Sequence, residues 1–452
     1  MKQHAGAGAW LRAMAHHGLR SDWLVGILAV IIAFALGAIL IVISGASVGD
    51  AYIAMFKGAI FNPDVLDSRG FDQAIRPLTD SLRFAAPLIL AGLGLGFGFR
   101  AGLFNIGGQG QVIFGALGAI AVSIFLDLPP VAHLVVALLA AMIAGGIYAG
   151  IAGFLKAKTG ANEVIITIML NNIAGLAIAY ALSKKAWQKP GQSNLITPRA
   201  EDSAALPTIL PAPFKLHLGF VIAVIAVIVY WWLLERSTFG FEVRAVGANP
   251  NAAKTAGMSI GTVTTLTMVV SGIFAGLAGA NEALGTMYHD NIGVTPTVAG
   301  SIGFDAITVA LLGRNKPIGI FLSGLLFGAF KAGGFKMQTQ GVPIDMILIL
   351  ESVIVLLIAA PALVRWLFHL PKPDGKSLRS IVAGISGAPG TSSATSGSLQ
   401  EGAQHTGTWE NGARNRAHEP ASVAGNEDAE NRLNRESSPL RAQTTSGKEE
   451  QA

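Results

Sequence analysis

The chain has 452 residues, of which 52% are hydrophobic and 13% charged, a balance that excludes an ordinary soluble domain of this length. Cysteine is absent, which excludes disulfides and thiolate metal sites. The formal net charge of +5 reads as membrane topology rather than nucleic-acid binding, because no basic stripe carries interleaved aromatics.

Arg12 and Arg20 precede an apolar run from Leu24 to Ile43. A signal peptide has a core of roughly 7–15 apolar residues, so this longer run is expected to stay as a first helix. Ten stretches approach the roughly 20 residues that cross a bilayer. They are 24–44, 84–99, 103–126, 131–155, 163–182, 218–234, 263–282, 302–313, 317–335 and 344–368. The stretch 302–313 is short enough to be a half-helix or a re-entrant piece. The expectation is an all-α polytopic membrane protein with about 8–10 transmembrane helices. Gly94/Gly98 and Gly272/Gly276 have the small-xxx-small spacing that lets helices approach closely.

Basic residues near span ends set the expected orientation. With residues 1–23 in the cytoplasm, Arg100, Lys156, Lys158, Arg236, Arg244, Lys254, Arg314, Lys316, Arg365 and Lys372 all fall inside. The turn Leu126–Pro130 falls outside and carries no basic residue. The outer loops 45–83 and 183–217 break the pattern, the second with Lys184, Lys185, Lys189, Arg199 and Lys215. The transmembrane bundle is expected over 24–370. From 371 to 452 the composition turns to Ser, Gly, Ala, Thr and Glu, and a disordered cytoplasmic tail is expected.

No phosphate-binding loop is present. Gly375-Lys376-Ser377 resembles the end of one, but Leu370 stands where the first glycine is required. No H-E-x-x-H occurs, and no nucleophile stands with a base, so the chain is not expected to be an enzyme. Polar groups in the spans draw attention because an unpartnered amide in lipid is costly. Asn105 and Gln109 are four apart, hence on one helical face, with Gln111 about 200° away. Two readings stand for them: hydrogen bonds between helices, or the lining of a translocation path. Asn171 and Asn172 admit the same two readings. Asn162 before Glu163 reads as a helix cap. Lys331 and Glu351 are expected to form a structural ion pair within the membrane, while Glu282 and Asp305 lie near span ends and are expected to reach water.

Between two apolar runs lies the polar, glycine-punctuated stretch Glu235–Thr262. Phe239, Val243 and Val246 fall at i, i+4 and i+7, on one helical face. Asn249 and Pro250 read as an N-cap with proline at the first helical position, and Gly257 as the stop. Such a structured element on the face of a membrane protein is expected to meet a partner.

Several segments, in order, resemble one family. They are Phe97–Gly107 (FGFRAGLFNIG), Asn162–Asn171 (NEVIITIMLN), Phe239–Pro250 (FGFEVRAVGANP), Ser271–Gly279 (SGIFAGLAG) and Gly303–Arg314 (GFDAITVALLGR). Together they resemble permease subunits of bacterial ABC importers in the branched-chain amino acid and simple-sugar group, most narrowly those working with nucleoside-binding lipoproteins. The resemblance spans roughly 24–368. It implies a pathway formed with a second permease subunit, a shorter paralogue, and two cytoplasmic ATPase subunits carrying ATP and magnesium, with no cofactor on this chain. It implies that the ATPases dock on Phe239, Glu242, Arg244, Gly247, Asn249 and Pro250. An extracytoplasmic solute-binding lipoprotein would deliver nucleosides, or failing that a simple sugar, across a bacterial inner membrane. The family usually has an acid where this chain has Gln109, which weakens the implied substrate. A secondary active transporter is the rival from another class; it requires a midplane ion site between broken helices.

Overall fold

In lipid, every backbone polar group must find a partner within the chain, so long apolar runs become helices. The computed structural model describes residues 22–43, 45–343, 349, 352 and 353. The termini 1–21 and 354–452, which include the expected tail, lie outside the described residues, as does most of the candidate span 344–368. Among the described residues the regular structure is helical, apart from one isolated bridge between Thr208 and His217.

In chain order the principal helices are α1 (Asp22–Ile43), α2 (Val48–Ala59), α3 (Phe71–Arg100), α4 (Gly108–Phe125), α5 (Pro130–Thr159) and α6 (Glu163–Leu182). A long loop leads to α7 (Gly219–Glu235), α8 (Thr238–Ala248), α9 (Pro250–Thr255), α10 (Ile260–Asn281), α11 (Ile302–Leu312) and α12 (Pro317–Gln338). Among the described residues, six helices are long and apolar enough to cross a membrane, or up to eight if the bent pairs α1–α2 and α7–α8 each count as one span. The protein is therefore an all-α, multi-pass membrane protein. The eleven-residue α11 is too short to cross alone, in keeping with the half-helix expectation.

One span is longer than its apolar run. Helix α3 begins at Phe71, thirteen residues before the expected 84. Its first part is charged, which hid it from a hydropathy reading. Those charges have partners: Arg76 lies 3.6 Å from Asp80, and the buried Arg83 holds Asp290 at 3.0 Å. Lys215 reaches the same Asp290 at 2.6 Å. Burial pushes the Asp290 carboxyl up, but the Lys215 hydrogen bond and the Arg83 charge outweigh it and hold it below the usual carboxylate range. Lys215 and Arg199, which broke the charge pattern in the sequence, are thus bound to local acids, Arg199 to Asp202 at 2.7 Å.

The loop 183–218 is tied to the segment after α10. Thr197 and Val294 exchange two hydrogen bonds, and the Leu206 amide donates to the Leu284 carbonyl at 2.9 Å. His217 is fully buried and stacks on His289. Burial, with the neighbouring His289 and Arg83, pushes its pKa down to about 3, so the ring is neutral near pH 7.

The bundle core is built on glycine. Helix α10 packs against α3, α4 and α5. A Cβ added at Gly276 would lie 2.2 Å from the Ala141 carbonyl oxygen, and one at Gly115 would lie 2.4 Å from the Gly276 Cα. Gly145 and Gly94 are as tight, each 2.4 Å from an α10 carbonyl oxygen, of Gly272 and Ser271 respectively. Three of the four small residues singled out by spacing, Gly94, Gly272 and Gly276, therefore sit where backbones touch. Gly276→Ala should lower stability by about 1–3 kcal/mol, the usual cost of overpacking. Gly175→Ala, which has open space around it, should be neutral or stabilising. Thermal unfolding of the detergent-solubilised chain measures the contrast.

Candidate functional site

Two places concentrate the polar residues: the element between α7 and α10, and the break between α3 and α4.

At the end of α7 the chain bends by 69°. Ser237 caps α8, its hydroxyl accepting from the Gly240 amide at 2.9 Å. Val243 and Val246 are buried, and half-buried Phe239 packs on Phe97, so the face read from the sequence is the one that faces the bundle. Two glycines allow the contact. A Cβ on Gly240 would lie 2.2 Å from the Leu233 carbonyl oxygen, and one on Gly247 would lie 2.1 Å from the Arg100 carbonyl oxygen. Gly247 is thus a packing residue that seats α8 on the end of α3.

Asn249 caps α9 as expected, its side-chain oxygen accepting from the Asn251 and Ala252 amides at 3.0 and 3.1 Å. Pro250 occupies the first helical position. The end is a Schellman motif: Met258 donates to the Ala253 carbonyl, Gly257 donates to that of Lys254, and Gly257 has φ +86°. Glu235 is shared between Arg100 at 3.3 Å and Arg244 at 3.9 Å. Glu242 has no ion-pair partner among the described residues. A cleft of about 750 Å³ opens between α8 and the start of α10, lined by Thr238, Phe241, Glu242, Arg244, Met258 and Thr262. Phe241 was missed in the sequence reading. It is 57% exposed, on the side of α8 away from the bundle, and its signal was a large apolar side chain two residues out of phase with Phe239.

The second place overturns an expectation. Asn105 and Gln109 do not share a helical face, because Asn105 precedes the helix: α4 starts at Gly108, after an extended segment that begins at Gly102 with φ +73°. Asn105 is fully buried and joins Gln111 instead, the two amides exchanging hydrogen bonds of 3.2 and 3.3 Å. Asn105 also donates to Ser271 at 2.9 Å and accepts from the Gly107 amide at 2.8 Å. Ser271 lies eleven residues past Ile260, about 16 Å along α10 at the helical rise, so this non-helical backbone sits well inside the bundle. There its polar groups need protein partners. Asn171 supplies two, donating to the Ile106 carbonyl and accepting from the Gly110 amide, both at 2.9 Å. Thr167 accepts from the Ile106 amide at 3.3 Å.

Gln109 points elsewhere. Its amide donates to the Gly300 carbonyl at 2.7 Å and accepts from the Gly303 amide at 3.0 Å, fixing the start of α11. Asn172 is exposed, bonded within its own helix to the Ile168 carbonyl, on a face of α6 that also exposes Met169, Ile173 and Leu176. Lys331 bonds Asp305 at 3.2 Å and Ser301 at 3.3 Å. Asp305 is partly buried, its side chain 15% exposed, where the loop before α11 brings it to Lys331. Glu351, the partner expected for Lys331, lies outside the described residues. No cluster of three metal-binding side chains occurs among the described residues.

An amide-pinned, non-helical link between two spans and a capped surface element seated on the bundle are thus the two polar features of the described residues. The model of the family described as branched-chain amino acid transport system / permease component matches residues 78–359, and the chain belongs to that family. It is 36% identical over 356 residues to the guanosine ABC transporter permease protein NupP of Bacillus subtilis, covering 78% of this chain and 98% of that one. It is 34% identical over 341 residues to the glucose ABC transporter permease protein TsgB13 of Haloferax volcanii, covering 73% and 85%. A second guanosine ABC transporter permease protein of B. subtilis, NupQ, is 28% identical over 258 residues, covering 55% and 78%. No solved structure matches.

The two kinds of amide separate in a stability measurement. Asn105→Ala leaves buried donors and acceptors of Gln111, Ser271 and Gly107 unpaired, and should cost about 1–3 kcal/mol for each orphaned group. Asn172→Ala, at an exposed position, should leave the thermal unfolding of the solubilised chain unchanged.

Proposed function

We propose that this permease component forms half of the pathway of an ATP-driven importer for nucleosides. The observation that carries the reading is the α8–α9 element: capped at both ends, seated on α3 through Gly247, and presenting an unpaired Glu242 and an exposed Phe241 beside an open cleft. This is the surface on which two ATPase subunits dock, through Glu242, Arg244, Asn249 and Pro250, with ATP and magnesium bound on those subunits. The face that carries it is cytoplasmic, and the membrane is a bacterial inner membrane with both termini inside.

The nucleoside assignment rests on the similarity to NupP, whose name gives guanosine as its solute. That B. subtilis has two guanosine permease proteins similar to this chain supports a second, different permease subunit as the partner. The exposed α6 face with Asn172 among apolar side chains is the surface offered to that partner and to the pathway. Asn105, Gln111 and Asn171 frame the pathway as pinned structure, and Gln109 holds α11 at its edge. A solute-binding lipoprotein delivers from the opposite face. The second reading, a simple sugar, is favoured by the similarity to the glucose permease TsgB13.

The lack of cysteine makes the orientation directly testable. A single cysteine at Asn251 should resist a membrane-impermeant maleimide in intact cells and react after the inner face is opened. With its partner subunits, the transporter should take up labelled guanosine in an ATP-dependent manner, and Glu242→Lys with Arg244→Glu should reduce that uptake at least tenfold. Labelling of residue 251 from outside, or uptake that follows an ion gradient in the absence of ATP, contradicts the proposal.

A further inference from the structure

Beside the α8 element, on the same end of the bundle, lies a second cavity of about 730 Å³ that the transport reading does not use. It opens between the last turn of α7 and the first turn of α12 and is lined by Arg100, Trp231, Glu235, Arg236, Lys316 and Leu322, among others. Three cations therefore face one carboxylate. Arg100 is taken up by Glu235 at 3.3 Å. Arg236 and Lys316 are exposed and have no carboxylate partner among the described residues, and Arg236 lies over the Trp231 ring at 5.4 Å. The cavity has a net positive charge that no carboxylate among the described residues meets.

Its walls show what does. Away from the cations, both helices expose apolar side chains: Ile318 and Leu322, one turn apart on α12, and Ile225, Ile228 and Trp232 along α7. These lie on spans of membrane length or on a broken span, so they contact acyl chains. Trp231 and Trp232 at the end of α7 are the tryptophans expected at headgroup level. The cations thus stand where the hydrocarbon stops.

The position of Lys316 is also fixed. Arg314 and Asn315 both adopt left-handed φ, near +54°, and the Tyr230 hydroxyl donates to the Asn315 carbonyl at 3.0 Å. A Cβ on Gly319 would lie 2.2 Å from the Gly313 carbonyl oxygen, so the turn closes backbone to backbone. The lysine projects from a built turn, next to the first turn of α12.

We propose that this cavity binds the headgroup of an anionic phospholipid, such as phosphatidylglycerol. The phosphodiester monoanion lies between Arg236 and Lys316, and the acyl chains run along Trp231, Ile318 and Leu322. A zwitterionic lipid is disfavoured because its quaternary amine brings a like charge against the same cations. The site involves no reaction and does not depend on which solute is carried.

The test uses the full chain in liposomes of phosphatidylcholine, with tryptophan fluorescence quenched by brominated phosphatidylglycerol or brominated phosphatidylcholine. The expected result is stronger, saturable quenching by the anionic lipid, a difference that disappears in Trp231→Phe. Arg236→Gln and Lys316→Gln, at exposed and unpaired positions, should each weaken the anionic preference about fivefold, the effect of one basic residue at an anionic surface. Lys254→Gln, outside the cavity, should leave it unchanged. Equal quenching by the two lipids, or a preference that survives the double variant, overturns the proposal. Displacement of the lipid by inorganic phosphate in modest excess overturns it in favour of a free anion. Loss of the preference when the second permease subunit is bound overturns it in favour of a protein partner on this surface.

Discussion

Backbone-to-backbone contact through glycine is the constraint on which this structure rests. Lipid is as apolar as leucine, so helices in a membrane are held by close packing rather than by hydrophobic transfer. At Gly276 and Gly145 the contact joins α10 to α5, and at Gly115 it joins α10 to α4. At Gly247 the same device joins a surface element to the bundle, against the carbonyl of Arg100. The α8–α9 element is therefore part of the body of the permease, and a displacement imposed on it is passed to α3 rather than absorbed by a loose loop. Coupling of that kind needs an element that both sites bias, and α8 has the packing for it.

The second constraint is that of non-helical backbone inside the bundle. Gly102 and Leu103 still bond to carbonyls at the end of α3, but beyond them side chains supply the partners: Glu163 at Phe104, Thr167 and Asn171 at Ile106, and Asn105 at Gly107. These partners are mostly neutral amides and hydroxyls; the carboxylate among them, Glu163, is paired with Lys156. An amide both donates and accepts, so Asn171 meets one carbonyl and one amide at once without the desolvation cost of a charge. Gln109, separately, ties the half-length α11 to the start of α4.

Much of this was legible in the sequence. Apolar runs give helices in lipid with few alternatives, so α5, α6, α7, α10 and α12 lie within a few residues of where hydropathy placed them, while α4 starts five residues late. The α8–α9 element was legible to the residue, since Asn249, Pro250 and Gly257 act through bonds between near neighbours. Expectations failed where distant contacts decide. Arg76 at the charged start of α3 pairs locally with Asp80, but the buried Arg83 is met by Asp290 from elsewhere in the chain. Asn105 was placed on a helix because its spacing to Gln109 fits one; the glycines on either side, and partners sixty or more residues away, end the helix there. The Lys331–Asp305 contact was not foreseen, because the loop that brings the two together has no local signature.

The claim that α8 transmits force through Gly247 is tested most directly by Gly247→Leu in the assembled transporter, with ATP hydrolysis and guanosine uptake measured on the same preparation. A side chain at this position wedges α8 away from Arg100 while leaving Glu242 and Arg244, the proposed docking residues, unchanged. The account predicts that hydrolysis persists while uptake falls at least tenfold. Uptake that stays in proportion to hydrolysis would contradict it.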